Sequence, residues 1–318
     1  MIFEVKGKDK INQFITIFTN IHKICSETNL VIGKDGIYTQ GLSMGNASII
    51  EVNLTRDWFD NSKGNLSNKI VGIHCEILAN VMKCYQDGQT IKISLFEESS
   101  ERLLIYFEGN GHDKEFQIKL MDIDSQQLEI PEIETLADVT MNSIEFTKIV
   151  LQLKYFGDYV KIDMGEDDNI YMETAGDAGD MKVRIKEKDI EEYALEEGET
   201  YSGTFMLQNL QAFCSFTKLN EVMTIHFIKD NPLCMLFNLD DWKNNKDDDE
   251  DEDNKMILVS QLKEELKKTH PEWDDDKISD TANDHVYIHS NEVDEEEEEE
   301  ENKPVNYVRF YLAPFFDD

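Results

Sequence analysis

The second half of this sequence repeats the first at an offset of about 133 residues, and this repeat constrains the fold more than any other feature. The turn-like segment DGIY at 35–38 corresponds to DNIY at 168–171. The strand-like run at 48–54 corresponds to the run at 181–187. A steady offset over several features indicates an internal duplication, so the chain is expected to form two similar halves.

Each half combines two helical patterns with several short strands. Apolar residues recur at helical spacing over 9–24 and 73–84 in the first half, and over 143–158 and 203–218 in the second. The segments between them alternate like strands, and the Asp-Gly pair at 35–36 is a strong hairpin signal. The pattern predicts an α+β fold made of duplicated units of helices and antiparallel sheet.

A polar segment, KLMDIDSQQLEIP at 119–131, separates the two halves. It closes on Ile130 and Pro131, and proline lacks an amide donor and disfavours helix at the residue before it. We therefore predict an extended connector. The predicted divisions are a first domain at 1–118, the connector at 119–134 and a second domain at 135–318.

The second half is interrupted by an acidic insert at about 243–303, which delays the last strand-like run, 306–314, by roughly 57 residues relative to the repeat. The insert contains DDDEDED at 247–253 and EVDEEEEEEE at 292–301, and it accounts for near half of the net charge of −36. We expect a mostly disordered segment with one amphipathic helix at 256–270. Because it lies between the last two strands, we expect it to emerge near the C-terminus.

Several functional classes are excluded by composition and motifs. No apolar run approaches the roughly 18 residues of a membrane span, and no secretory signal opens the chain, so no membrane partner is expected. The five cysteines are dispersed without CxxC spacing, which indicates an intracellular, reducing compartment and reduced thiols. No P-loop, GxSxG or HExxH motif is present, so we predict no enzyme, no catalytic residue, no cofactor and no metal.

Three motifs carry a resemblance to a known family. The connector KLMDIDSQQLEIPE at 119–132, the turn and strand at 35–43 and the YLAP motif at 311–314 resemble those of the DNA sliding clamps of the proliferating cell nuclear antigen family. The resemblance covers most of 1–240 and 304–318. It implies a two-domain, ring-forming clamp fold in which three copies encircle duplex DNA, with helices lining the hole and sheets forming the outer shell.

The resemblance also implies a biological setting. Such a clamp would be a processivity factor for DNA polymerase in replication and repair, and a separate clamp-loader ATPase would open the ring. The insert suggests a clamp from a protist or a large DNA virus, acting in the nucleus or in a viral replication compartment.

The polar faces of the four helices are predicted to face DNA. A ring that holds DNA topologically needs only weak, sequence-independent contacts. These faces carry no acid except near the helix ends, in a chain with 67 acidic and 31 basic residues. For each lysine the alternative is a solvated helix position. The predicted DNA-facing residues are Lys10, Asn20, His22, Lys23, Asn80, Lys83, Lys148, Lys154, Gln208 and Lys218.

A partner pocket is implied beside the connector and the C-terminal strand. Polymerases and other partners would insert a helical turn with one aliphatic and two aromatic anchors. The alternative is that Leu128 and Ile130 only pin the connector. The predicted lining is Leu42, Ile49, Leu128, Ile130, Pro131, Pro232, Tyr311, Leu312, Ala313 and Pro314.

Strand pairing is expected to build the ring. The run at 48–54 would pair with the C-terminal strand of the same chain, and the equivalent run at 181–187 would pair with 115–120 of the next chain. Closing the ring removes edges that otherwise promote aggregation. The predicted subunit-interface residues are Phe116, Ile118, Met181, Val183 and Ile185.

Two other functions stay open at this point. Within the family, the chain could be a checkpoint-type clamp subunit of a hetero-ring, although the intact connector and the YLAP motif favour the replicative form. Outside the family, the acidic insert is compatible with a chaperone of histones or other basic proteins. The acid runs themselves are expected to maintain solubility.

Overall fold

The computed structural model describes residues 1–64, 67–95, 101–124, 128, 130, 135–165, 169–177, 179–196, 198–228, 232–240 and 306–315. The predicted insert at about 243–303 lies outside the described residues. Within them the α-helices are α1 (Lys8–Asn20), α2 (Cys75–Met82), α3 (Ser143–Leu153) and α4 (Leu207–Phe213). Short 3₁₀ helices continue α1 and α4 at Ile21–Lys23 and Cys214–Phe216.

The strands follow the duplication. Those of the first half are β1 (Ile2–Val5), β2 (Glu27–Gly33), β3 (Gly36–Leu42), β4 (Ser48–Thr55), β5 (Asn61–Lys63), β6 (Lys69–His74), β7 (Thr90–Ser94), β8 (Arg102–Glu108) and β9 (Lys114–Lys119). Those of the second half are β10 (Ala137–Asn142), β11 (Tyr159–Met164), β12 (Asn169–Gly176), β13 (Gly179–Lys186), β14 (Glu192–Leu195), β15 (Tyr201–Met206), β16 (Val222–Phe227), β17 (Leu233–Asn238) and β18 (Tyr307–Leu312).

These strands form three antiparallel sheets. One has five strands in the order β5, β1, β7, β8, β9, and one has four in the order β13, β12, β11, β15. The largest has nine, in the order β14, β10, β16, β17, β18, β4, β3, β2, β6. It passes from one half of the chain to the other where β18 pairs with β4, with Tyr307 opposite Asn53 and Leu312 opposite Ser48. The predicted pairing of 48–54 with the C-terminal strand is confirmed.

The nine-stranded sheet is a five-stranded unit joined to a four-stranded unit. By the internal repeat, β14, β10, β16, β17 and β18 correspond to the separate five-stranded sheet, and β4, β3, β2 and β6 correspond to the separate four-stranded sheet. The joint between β18 and β4 therefore has a counterpart whose two sides are β9 and β13. In the described part of the chain, β9 pairs only with β8 and β13 pairs only with β12. Each presents a row of backbone groups along its other edge.

The helices cover one face of the sheets, and the core lies between them. Phe310 of β18 is fully buried, and its ring centroid lies 4.6 Å from that of Phe213 and 4.9 Å from that of Phe216. Burying one such side chain contributes about 1.5–3 kcal/mol. The two halves also meet through α1, because the side-chain amides of Gln13 and Asn20 donate to the carbonyls of Leu219 and Ser215, each at 3.1 Å.

The predicted helix at 203–218 is wrong at its start. Residues 201–206 form β15, in which Phe205 lies opposite Val160 of β11, and α4 begins only at Leu207. The helix predicted over 143–158 is also shorter, since α3 ends at Leu153. Its start is fixed by Asn142, whose side-chain oxygen accepts from the amides of Ile144 and Glu145 at 3.0 and 3.1 Å.

The expectation that the insert emerges near the C-terminus is wrong. The amide of Leu239 donates to the carbonyl of Asn306 at 2.9 Å, so the chain leaves and returns at one point. The side chain of Asn306 accepts from the amide of Thr55 at 2.7 Å, at the far end of β4. Five residue steps along β18 separate Tyr307, which follows Asn306, from Leu312, a distance of about 17 Å. An insert that precedes an antiparallel strand leaves the sheet at the end opposite to the one where that strand finishes.

Candidate DNA-facing and partner-binding surfaces

Three predicted pocket residues lie side by side on the sheet face that points away from the helices. Leu42 lies opposite Ile49, and Ile49 lies opposite Tyr311. Leu42 is 40% exposed, and the other two are half-buried. Since alternate residues of a strand share a face, this row gives the outer surface an apolar strip across the joint between the halves.

The described connector residues, 119–124, 128 and 130, include points where the backbone is held against the first half, and residues 125–127, 129 and 131–134 lie outside the described residues. Gln40 of β3 bonds Leu128 twice, accepting from its amide at 2.7 Å and donating to its carbonyl at 3.0 Å. Farther back, the side chain of Asn29 donates to the carbonyl of Ile123 at 3.2 Å. The side chain of Leu128 remains 46% exposed. Backbone groups therefore hold Ile123 and Leu128 in place, and the leucine side chain is left exposed.

Met121 makes a backbone bond to Gly72 of β6 at 2.9 Å. A Cβ atom at Gly72 would lie 2.3 Å from the carbonyl oxygen of Met121, so this close approach requires glycine.

The residues after β18 lie on the other side of the predicted pocket. The amide of Ala313 donates to the carbonyl of Ala47 at 2.9 Å, and the amide of Phe315 donates to the carbonyl of Thr204 at 2.7 Å. The ring of Phe315 lies 4.2 Å from that of Tyr159. These contacts hold Ala313, which is exposed, and Pro314, which is half-buried, beside Tyr311.

Of the remaining predicted lining residues, Ile130 and Pro232 are half-buried, and Pro131 lies outside the described residues. Leu312 does not line the pocket, because it is fully buried on the helix side of β18. The two-residue period of a strand places Tyr311 on the outer face and therefore Leu312 on the inner one.

Sequence reasoning missed two contributors to this surface. Met44, two residues after Leu42, is 93% exposed. Its signal was an apolar residue in a loop of serine, glycine and asparagine. Arg309 of β18 was also missed, although its place between Tyr307 and Tyr311 in an alternating strand puts all three on the outer face.

A row of Cys234, His226 and Asp138 lies on the same outer face and superficially resembles a nucleophile with its base. Cys234 lies opposite His226, and Nδ1 of His226 lies 2.7 Å from Oδ1 of Asp138. Burial raises the pKa of the Cys234 thiol to about 12. The thiol is therefore protonated at neutral pH, which makes it a structural group and not a nucleophile.

The clearest group of predicted DNA-facing residues joins the ends of α1 and α2. Lys23, Asn80 and Lys83 are exposed, and Nζ of Lys83 donates to the side-chain oxygen of Asn80 at 3.3 Å. Burial lowers the pKa of Lys23, and the charge of Lys83 lowers it further. Two like charges thus share one surface, an arrangement that an anionic ligand would stabilise.

Three other predicted lysines already have acidic partners. Nζ of Lys148 lies 2.5 Å from Glu145, one turn earlier in α3, and Lys154 pairs with Asp158. Lys10 donates to the carbonyl of Trp58 at 2.7 Å and lies 3.6 Å from Asp60. By contrast, Lys23, Lys83 and Lys218 form no ion pair with another described residue.

The uncharged predicted residues also include both an exposed side chain and side chains that bond other parts of the protein. Gln208 is exposed, and His22 is half-buried with Nδ1 2.7 Å from the carbonyl of Thr19. The side-chain amide of Asn20 donates to the carbonyls of Thr16 and Ser215, so its donors already have partners within the protein. Apolar side chains are also exposed on these helices: Ile77, Ile144 and Leu151.

Among the described residues, no helix has the length and apolar character needed to cross a membrane. The same part of the chain contains no cluster of three or more metal-ligand side chains.

Comparison with known protein families gives two matches. The model described as the proliferating cell nuclear antigen, N-terminal domain, matches residues 3–128. The model described as the proliferating cell nuclear antigen, C-terminal domain, matches residues 129–246. The two matches follow each other along the chain without overlap.

Proposed function

The chain belongs to the proliferating cell nuclear antigen family of DNA sliding clamps, whose members are not enzymes, and on this basis we propose that three copies close into a ring around duplex DNA. In this role it is a processivity factor that keeps a DNA polymerase on its template and docks replication and repair enzymes.

The observation that carries the ring is the nine-stranded sheet. It is a completed joint between a five-stranded and a four-stranded unit, and the chain carries one more unit of each kind with an open edge. A second copy supplies the missing half of each joint. Because such a contact is head to tail, it closes into a ring when the rotation fits.

The completed joint also gives the register of the contact between chains. In β18 and β4, Val308 lies opposite Val52 and Phe310 opposite Ile50. The repeat maps these pairs onto Phe116 with Ile185 and onto Ile118 with Val183. Phe116 and Val183 are half-buried, so pairing β9 with β13 of the next chain would bury apolar surface on the helix side of the sheet.

The same register places oppositely charged residues together on the outer side. Tyr307 lies opposite Asn53 in the completed joint, and the repeat maps this pair onto Glu115 and Lys186. Both of these side chains are exposed. Because one chain carries both partners of this pair, the pair favours identical subunits over a hetero-ring.

For DNA, we propose a weak and sequence-independent contact through Lys23, Lys83 and Lys218. Since Lys10, Lys148 and Lys154 have acidic neighbours, few of the predicted DNA-facing lysines lack an ion pair among the described residues, and the resulting loose contact would allow sliding. A clamp-loader ATPase would open the ring, and the setting would be the nucleus or a viral replication compartment.

The partner pocket would take a peptide in the helix-in-groove mode. Its apolar surface is Leu42, Met44, Leu128 and Tyr311, with one wall held by Gln40 and the other by the backbone after β18.

Light scattering on a sizing column, over a dilution series, tests the ring. A native mass near three times 36.9 kDa is expected, followed by retention on circular but not on linear DNA. A protein that stays monomeric at every concentration, and that gains mass only with a different clamp subunit, would instead identify a member of a hetero-ring.

A further inference from the structure

A line of polar side chains crosses the joint between the two halves and ends at the partner pocket. The hydroxyl of Tyr38 donates to Oε1 of Glu51 at 2.8 Å, and Nη1 of Arg309 lies 3.7 Å from Oε2 of Glu51. The same Nη1 donates to the hydroxyl of Tyr311 at 3.1 Å. The guanidinium carbon of Arg309 lies 4.4 Å from the centroid of the Tyr307 ring.

This arrangement is poorly explained by stability alone. Glu51 is only 9% exposed, and the side chain of Arg309 is 30% exposed. Partly removing two charges from water costs free energy that can exceed the gain from their attraction, and apolar residues of similar size often stabilise a fold at least as well. A planar guanidinium can, however, stack on one ring, face a carboxylate and donate to a second ring at the same time.

The restrained group is Tyr311, the residue of this line that belongs to the pocket. Its hydroxyl points toward Arg309 and the Cys234 thiol, and burial raises its pKa to about 12. With the hydroxyl held as a neutral group at one end, the ring is fixed in the row with Ile49 and Leu42. An anchored ring loses less freedom when a ligand binds against it.

We propose that Arg309 is a positioning residue of the partner pocket, which acts by fixing the orientation of Tyr311 and is itself oriented by Glu51 and Tyr307. This inference rests on the proposed function, since it assigns to Arg309 a part in peptide binding at the same pocket.

A double-mutant cycle on the full-length protein tests the proposal. The probe is a fluorescein-labelled peptide with leucine, phenylalanine and phenylalanine at positions i, i+3 and i+4, and the readout is its Kd by fluorescence anisotropy. We expect Arg309→Met and Tyr311→Phe each to weaken binding about fivefold, the effect of losing one hydrogen bond. The double variant should be no weaker than either single one, because Arg309 acts through the Tyr311 hydroxyl.

The matched control is Arg102→Met, which removes an outward-facing arginine of β8 that bonds Gln117 and lies on a different sheet. Its Kd should equal that of the unaltered protein. If Arg309→Met does not fold, Arg309→Lys takes its place in the cycle, because an ammonium group cannot stack and donate in the same geometry.

The possible outcomes test the positioning role of Arg309 and the existence of the pocket separately. Equal Kd values for Arg309→Met and the unaltered protein, or independent effects that multiply in the double variant, overturn the positioning role while leaving the pocket intact. If the unaltered protein does not bind the peptide at all, the proposed pocket is wrong and this inference falls with it.

Discussion

The proposed subunit contact can be tested by reversing one charge at the open edge of β13. Lys186→Glu would place two carboxylates opposite each other, because the register of the completed joint maps Tyr307 with Asn53 onto Glu115 with Lys186. Both side chains are exposed within one chain, so the fold of the monomer should not change.

The size of the effect follows from the number of joints in the proposed ring of three chains. An opposite-charge cross-strand pair contributes about 0.2–1 kcal/mol, so exchanging attraction for repulsion costs about 1 kcal/mol at each joint. Three joints give about 3 kcal/mol, which is roughly a hundredfold change in the trimerisation constant. Since assembly depends on the square of the monomer concentration, the concentration of half-assembly should rise about tenfold.

The assay is analytical ultracentrifugation over a concentration series at about 50 mM salt, where screening is weak. The double variant Glu115→Lys with Lys186→Glu should restore the original midpoint, and Lys63→Glu, which changes the same charge on β5 at the other edge of the five-stranded sheet, should leave it unchanged. A tenfold shift that the double variant fails to reverse would refute the inferred register. A midpoint unaffected by the single change would refute the contact itself.

Three further predictions follow from the surfaces. Lys83→Glu should shorten the residence of the clamp on nicked circular DNA several-fold, and Lys148→Glu should do so less, because Glu145 already neutralises Lys148; equal losses in a salt-washed retention assay would contradict this assignment. Leu128→Ala should weaken peptide binding about tenfold by calorimetry. The Tm should not change, since the Leu128 side chain is 46% exposed in the free protein. An unchanged Kd would show that Leu128 only pins the connector. At pH 8, iodoacetamide should modify the exposed Cys84 in minutes but leave Cys234 intact, because burial raises the pKa of the Cys234 thiol to about 12. Mass spectrometry of the native and the urea-unfolded protein gives the comparison, and rapid labelling of Cys234 in the native protein would count against its burial.

Features set by the internal repeat could be predicted from sequence. The pairing of β4 with β18 could be predicted because the repeat identifies β4 as the counterpart of β13 and β18, displaced by the insert, as the counterpart of β9. The strands β6 and β15 were missed because each runs directly into a helix, and an apolar run such as 203–210 fits both periods.

The positions of the candidate pocket residues were predictable where the strand period decides which face a residue takes. That period places Leu42, Ile49 and Tyr311 together, and it also shows why Leu312 had to be withdrawn. Ion pairs such as Lys154 with Asp158 depend on side-chain conformations, so the composition of a helix face could not reveal them. The position of the insert depended on strand direction, which the order of segments does not give.

The strands β18 and β4 belong to one chain, and this has a mechanical consequence. A closed ring of three chains would contain six such joints. Three would be tethered, because both strands belong to one chain, and they would alternate with three untethered joints between neighbouring chains. The tethered joints are held at the high effective concentration of a single molecule, whereas dilution or a loader can part the other three. Leu42, Ile49 and Tyr311 straddle a tethered joint, while the equivalent place at an untethered joint carries Lys119 and Lys182. A bound polymerase would therefore contact a joint within one chain. The ring could open at a joint between two chains without disturbing the site that holds the polymerase.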